Sequence, residues 1–315
     1  MSLSVVESSV RSRVGDPAFS ADVLLVTPQI VAVLSGMDLS TGSQSLTLPH
    51  GLTPARFAAT IGAAGLRALP EEVTLRGAVD ALSAGLAGAL ARVGQTRSPL
   101  NVGFAFAAVS NARREVWRVG PISVLQEDSS GAAALPPSLA AVAAGRALIL
   151  HALLAGERQR RLQYGELRPG EPNAAGAALP GAVLPGAGSP GTLLTGELAH
   201  SLRTHDPSLP LVAPLLAAHA ALANDSGPLG YGLINGRPVP DNLLHIHTLT
   251  PGKHEAVFAT AGYPQPGPTL AVTERYLTEL LRADPLLIER HPYIRAHRPD
   301  HEGYADRAYL RVRVR

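Results

Sequence analysis

Hydrophobic positions along this chain fall into short runs separated by turn residues. Residues 23–26 and 30–34 are two such runs, parted by Thr27-Pro28-Gln29. β-Branched runs of this length, broken by a proline turn, predict two adjacent buried strands. A looser alternation of Val5, Val6, Val10 and Val14 predicts a first strand over 3–14, closed by Gly15-Asp16-Pro17. Ser35-Gly36 and a small polar loop, 38–45, follow the second run. A loop leaving the end of a buried strand is where a rigid sheet presents chemistry.

Helical periodicity takes over next. Thr53 is placed to cap a helix, with Pro54 where a missing N–H costs nothing, and Pro70 stops it near Leu69. Glu71-Glu72 are expected to open a second helix reaching about Val93, their charge suiting the helix dipole. Leu75, Val79, Leu82, Leu86, Leu90 and Val93 form its apolar stripe. Three strands are expected over 101–110, 115–119 and 122–126, the first two joined by a polar turn at 111–114. Trp117, the only tryptophan, reads as core.

Residues 138–163 predict a long helix whose Arg158, Arg160 and Arg161 form a solvated face. Further helices are expected at 193–202, 209–224 and 269–283, and strands at 230–236, 243–249, 256–260 and 307–314. Strands gathered at both ends, with helices between, argue an α+β layered fold rather than alternating βαβ units. The Pro/Gly/Ala-rich stretch 165–191 reads as a flexible insertion within a single domain spanning 1–315. Its Gly186-Ala-Gly-Ser-Pro-Gly191 matches a dinucleotide-binding pattern only formally, because Pro180 and Pro185 spoil the strand that must precede it.

Composition narrows the chemistry. The chain has 315 residues, 46% hydrophobic but only 4% aromatic, so Ala, Leu and Val must fill its core. With no cysteine, disulfides, thiolate metal sites and cysteine nucleophiles are excluded. Net charge is +2, and Lys253 is the only lysine. That arginine bias matches a GC-rich bacterial genome and argues against a nucleic-acid partner, since the basic residues are scattered. The alternating Arg311-Val-Arg-Val-Arg315 reads as a strand with one solvated face. The apolar stretch 140–155 is interrupted by Gly145, Arg146 and His151, and no leader pattern opens the chain; a cytoplasmic, non-membrane protein is expected.

Four strand ends carry a resemblance: Val31-Ala-Val-Leu-Ser-Gly36, Val116-Trp-Arg-Val-Gly-Pro-Ile-Ser-Val-Leu125, Ala256-Val-Phe-Ala-Thr-Ala-Gly-Tyr263 and Tyr304-Ala-Asp-Arg-Ala-Tyr-Leu-Arg-Val312. In order and spacing they resemble the signature strands of the metal-dependent protein phosphatases, the PPM or type 2C family. Those strands end in Asp-Gly, Gly-Asp-Ser, Ser-Asp-Gly and Asp-Asp/Asn-x-Thr. Phe19-Ser-Ala-Asp22 is similar to that family's opening Asn-Glu-Asp. The resemblance covers about 1–130 and 228–315. It implies a four-layer αββα sandwich, two mainly antiparallel sheets flanked by helices, with a dinuclear Mg/Mn site at one end.

The departures are concentrated at that site. Two hard cations held close together need several carboxylates around them. This chain has Ser35-Gly36, Gly120-Pro121 and Ala261-Gly262 at the first three positions, and Ala305 beside Asp306 at the last. Asp22 matches a family acid. Carboxylates are lost while strand-end glycines remain, so the expectation is a pseudophosphatase: a regulatory or binding module for a protein partner or a phosphorylated or nucleotide ligand. No cofactor is expected, a single weak Mg or Mn being the most these acids would hold. The alternative is a phosphoester hydrolase with a rearranged metal site built from Asp22, Asp38, Asp306 and nearby histidines.

Histidines are the remaining candidates. His245-Ile-His247 places two rings on one face of a strand, with His254 nearby; the bland reading is an edge strand's solvent side. His291, His297 and His301 lie with Asp300 and Asp306 in a polar loop before the last strand. No G-x-S-x-G, H-E-x-x-H or Walker pattern occurs.

Overall fold

The computed structural model describes residues 2–39, 48, 51–93, 102–126, 129–131, 135–164 and 196–315. In chain order the strands are β1 (Leu3–Arg11), β2 (Asp22–Val26), β3 (Ile30–Asp38), β4 (Val102–Ser110), β5 (Glu115–Val119), β6 (Ser123–Gln126), β7 (Ser129–Gly131), β8 (Leu244–Thr248), β9 (His254–Ala259) and β10 (Arg307–Val314). The helices are α1 (Pro54–Ala68), α2 (Leu75–Arg92), α3 (Pro137–Gln163), α4 (Gly196–Thr204), α5 (Leu209–Ala221) and α6 (Leu270–Ala283).

Among the described residues the strands form two five-stranded sheets, ordered β1-β10-β9-β6-β7 and β2-β3-β4-β5-β8. Every pairing is antiparallel. Val31, Val33, Ala105, Ala107 and Val109 from one sheet meet Phe258, Ala308, Leu310 and Val312 from the other in one buried cluster. Alanines, valines and leucines fill most of this layer, as the low aromatic content implies. The second sheet's opposite face packs Leu25, Leu34, Phe104, Phe106 and Trp117 against α1 and α2. The first sheet's outer face packs Val257, Ala259 and Tyr309 against Leu277 and Leu280 of α6. Helix, sheet, sheet, helix is therefore the layer order that the strand-end motifs imply.

Several expectations hold in detail. Thr53 caps α1, its hydroxyl accepting from the Arg56 amide at 3.2 Å. Trp117 is buried and donates to Glu115 at 2.7 Å. Arg160 and Arg161 pair with Glu157 on the exposed end of α3.

Others need correction. The second helix starts at Leu75 rather than at Glu71, because Thr74 supplies the cap that the two glutamates cannot. Residues 230–236 make no strand; single bridges at Tyr231 and Ile234, together with the Asn224 side chain bonded to the Leu233 amide and carbonyl, tie them to the fold. The expected insertion 165–191, its 186–191 pattern, and residues 40–45 of the polar loop lie outside the described residues. By length and composition α3 is apolar enough to cross a bilayer. Here it buries Val142, Ala143, Leu150 and Leu154 together with a fully buried Arg146 that is ion-paired to Asp206.

Candidate functional site

The antiparallel registers bring the motif-bearing strand ends to one end of the sandwich. Asp22 pairs with Ser35 across β2 and β3, and Ser35 pairs in turn with Ala105 on β4. The Gly36 amide donates to Ala21 O at 3.0 Å. Gly120, at φ +84°, turns the chain out of β5 where a Cβ would fall 2.7 Å from that of Ala105. On the other sheet Thr260 follows β9 and is locked to β10: its amide donates to Ala308 O at 3.0 Å, and its hydroxyl accepts from the Ala308 amide at 2.8 Å. Gly262 lies so close to Asp306 that a Cβ would stand 2.2 Å from the Asp306 carbonyl oxygen.

Three of these groups join the sheets. Thr260 Oγ1 donates to Asp22 Oδ2 at 2.6 Å, bridging from one sheet to the other. Asp306 accepts the Arg13 amide on Oδ1 and the Ala21 amide on Oδ2, both at 2.8 Å. Asp22, 3% exposed, has its carboxyl pushed up to about 7. Burial is the main cause; hydrogen bonds from Thr260 and Ser35 oppose it, and the nearby Asp306 charge adds to it. The remaining motif positions are structural. Pro121 follows the Gly120 turn, Ala261 O accepts the Tyr304 hydroxyl at 2.7 Å, and Ala305 packs beside the buried tyrosines.

This donor set does not fit a pair of divalent cations. One carboxyl is buried and takes the Thr260 hydroxyl, and both oxygens of the other already take main-chain amides. Around them stand serine, glycine, threonine and alanine, which bring no further charge. The cluster is a hydrogen-bonded pin between sheets.

The other candidate ligands are dispersed. Asp38 lies three residues beyond Ser35 on β3, opposite Val102, about 10 Å along the strand. His245 and His247 are exposed on β8, the edge of its sheet. Partial burial and the nearby Arg118 guanidinium hold His245 below the usual histidine range. His254 is engaged by the Thr250 carbonyl at 2.7 Å. His291 stacks on Tyr293 with centroids 6.1 Å apart, while His297 Nε2 is bonded to the His301 carbonyl at 2.9 Å. Burial lowers the pKa of both. Among the described residues no three His, Asp or Glu side chains group as a metal site.

The sequence reading missed what holds the 284–306 loop against this end. Asp284, buried, caps the turn by accepting from the amides of Ile288, Glu289 and Arg290. Arg146 of α3 grips the same loop through its carbonyls. A lone arginine in an apolar helix was the only signal. The loop delivers Tyr293, whose phenol burial pushes up, to within electrostatic reach of Asp22 and Asp306. Exposed Arg13 and Arg295 act on the same tyrosine and on His301.

Gly36 offers a direct check on how closely this end is packed. A Cβ there would sit 1.9 Å from the Ala55 carbonyl oxygen, which is main chain and has no rotamer to yield. Gly36→Ala is expected to destabilise by about 3 kcal/mol, the upper end of overpacking costs, by prising the first turn of α1 from β3. Gly85, inside α2 with open space around it, is the control. Gly85→Ala should stabilise by about 0.5–1 kcal/mol. Urea unfolding of the two variants measures both.

No protein-family model matches the sequence, and no curated protein matches it. Solved structures do. The serine/threonine phosphatase PstP of Mycobacterium tuberculosis is 13% identical, with 99% of this chain and 98% of that chain covered at a TM-score of 0.45. The PPM Ser-Thr phosphatase MsPP of Mycobacterium smegmatis, in complex with cacodylate, is 11% identical over 98% of each chain, at 0.41. The catalytic domain of PstP in complex with two manganese ions is 14% identical, covering 100% of this chain and 99% of that one, at 0.42. The likeness is one of fold alone: two facing antiparallel sheets between helices.

Proposed function

We propose that this chain is a PPM-like domain that acts by binding and does not hydrolyse phosphoesters with metal ions. The observation that carries the reading is the closed Asp22–Thr260–Asp306 cluster at the strand ends, where carboxyls are spent on the protein's own donors. The catalytic domain of PstP is in complex with two manganese ions; here the strand ends offer two acids, both engaged by the protein's own donors. The scaffold-keeping glycines at 36, 120 and 262 are explained by close main-chain approach alone, so their presence does not argue for catalysis. The ligand on this reading is a protein partner or a phosphorylated or nucleotide group. Arg13 and Arg295, exposed beside the 284–306 loop, supply positive charge for an anion.

Calorimetric titration of the chelator-stripped protein with Mn²⁺, paired with an aryl-phosphate hydrolysis assay, tests this. The expected result is no stoichiometric Mn²⁺ uptake into the millimolar range and no metal-dependent turnover. Two tightly bound Mn²⁺ per chain, with hydrolysis abolished by Asp306→Asn, would overturn it in favour of a rearranged hydrolase.

A further inference from the structure

Among the described residues β8 is the outermost strand of its sheet, bonded to β5 on one side only. Its five residues read Leu-His-Ile-His-Thr and carry no Lys, Asp, Glu or Pro, the residues that natural edge strands use to refuse further pairing. His245, Ile246, His247 and Thr248 are all exposed, Ile246 to 54% despite being aliphatic. The register to β5 places His245 opposite Arg118 and His247 opposite Val116, with Ile246 opposite Trp117. His245 and His247 therefore share one face of the sheet, and Ile246 lies on the other.

The strand is self-complementary about Ile246. If a second copy's β8 adds antiparallel with its two-fold axis at that residue, His245 of each strand stands opposite His247 of the other. Directly opposed residues have Cβ atoms about 4.5–5.5 Å apart, and i, i+2 neighbours on one strand are about 7 Å apart. Four imidazoles then occupy the corners of a small rectangle on one face, the ligand number and type that a tetrahedral zinc ion takes at about 2.0–2.1 Å per bond. On the opposite face the two Ile246 side chains pair and bury the apolar surface each exposes alone. Among the described residues one chain supplies two histidines at this place, too few for a closed site; two chains supply four.

We propose that β8 is a homodimerisation edge on which His245 and His247 of two chains together bind one transition-metal dication of the zinc type. This site lies on a sheet edge and does not depend on the reading of the strand-end cluster.

The experiment is light-scattering mass measurement of the full, tag-free chain during size-exclusion chromatography, with Zn²⁺ alone as the probe and a chelator to reverse it. The expected result is a two-fold rise in mass at one Zn²⁺ per two chains, returning to monomer with chelator. His245→Ala and His247→Ala should each abolish the rise. Ile246→Lys should abolish it too, although both histidines remain, because a charge at the two-fold axis blocks the strand pairing. The substituted side chains are exposed, and circular dichroism confirms that the variants fold. A mass unchanged by Zn²⁺, a dimer that forms without metal, or a Zn²⁺-induced dimer persisting in Ile246→Lys or in the double histidine variant would each overturn the proposal.

Discussion

Replacing Arg146 with methionine should cost the fold about 3–5 kcal/mol, the range found when one partner of a buried ion pair is removed. The arginine is fully buried in α3. Its Nε donates to Asp206 Oδ2 at 2.7 Å, while Nη1 reaches the carbonyls of Leu286, Leu287 and Tyr293 at 2.9, 3.3 and 2.9 Å. Methionine fills a similar volume but donates nothing, so Asp206 Oδ2 and the Leu286 and Tyr293 carbonyl oxygens lose the guanidinium together, while Leu287 O keeps the Tyr293 amide and Asp206 Oδ1 keeps Ser208. Arg146→Lys should recover little, since one ammonium cannot reproduce the planar fork that spans Asp206 and the loop. Urea unfolding reads the loss directly. A change below about 1 kcal/mol would mean that the 284–306 loop is held by its apolar contacts and not by this side chain.

The second large effect concerns pH. The Asp22 carboxyl, pushed up to about 7 in the folded chain, starts from an ordinary value of 3.8. Between those values the folded state holds a proton that the unfolded chain has released. The sign follows: Asp22 contributes stability that is fully present below pH 3.8 and lost as pH rises through about 7. The size of that loss is on the order of 4 kcal/mol for a fully buried group. Asp22→Asn keeps the shape and cannot ionise. Its amide can accept from Thr260 while remaining neutral, so the variant should match the parent near pH 4 and exceed it increasingly toward about pH 8. Thermal melts of both across that range test it. Parallel curves would show that the Asp22 carboxylate is stabilised in place, and with it the case for a metal at that end would revive.

How far the sequence foretold this depended on the range of the interaction. The turn at Thr27-Pro28-Gln29, the Thr53 cap and the amphipathic face of α6 are local signals, and each produced the element it announces. The terminal strand was legible from Arg/Val alternation, and its Arg311 and Arg313 do pair with Glu255 on the face away from the inner core. Where two local signals compete, the capping hydroxyl prevails: the acidic Glu71-Glu72 stand out in the sequence, yet the hydroxyl of Thr74 decides where α2 begins. Residues 230–236 are strand-like in composition, but Gly232 and Gly236 leave them bridging to β4 rather than extending it. At the candidate site the motif order located Asp22, Ser35, Gly36, Gly262 and Asp306 at one end. It could not reveal that Thr260 would reach across to Asp22, a contact between residues 238 positions apart. Arg146 stands out in the sequence as a charge within an apolar stretch, but its role is not legible there, since its partners lie on elements that only the tertiary fold brings near.

The pairing of β1 with β10 has a consequence for the order in which the protein takes shape. Ser4 and Arg313, neighbours across that ladder, are 309 residues apart in the chain, and among the described residues β1 has no other strand beside it. The β2-β3-β4-β5 ladder, by contrast, joins strands that follow one another directly in sequence. Contacts of short loop length form early and those of long loop length late. During synthesis β2, β3, β4 and β5 can therefore pair with one another early, while β1 waits unpaired for most of the chain to be made. Until β10 arrives, β1 is an open strand available to any other edge that meets it. The step that ends this exposure is the last one in time: β10 docks between β1 and β9 and closes the sheet from both sides.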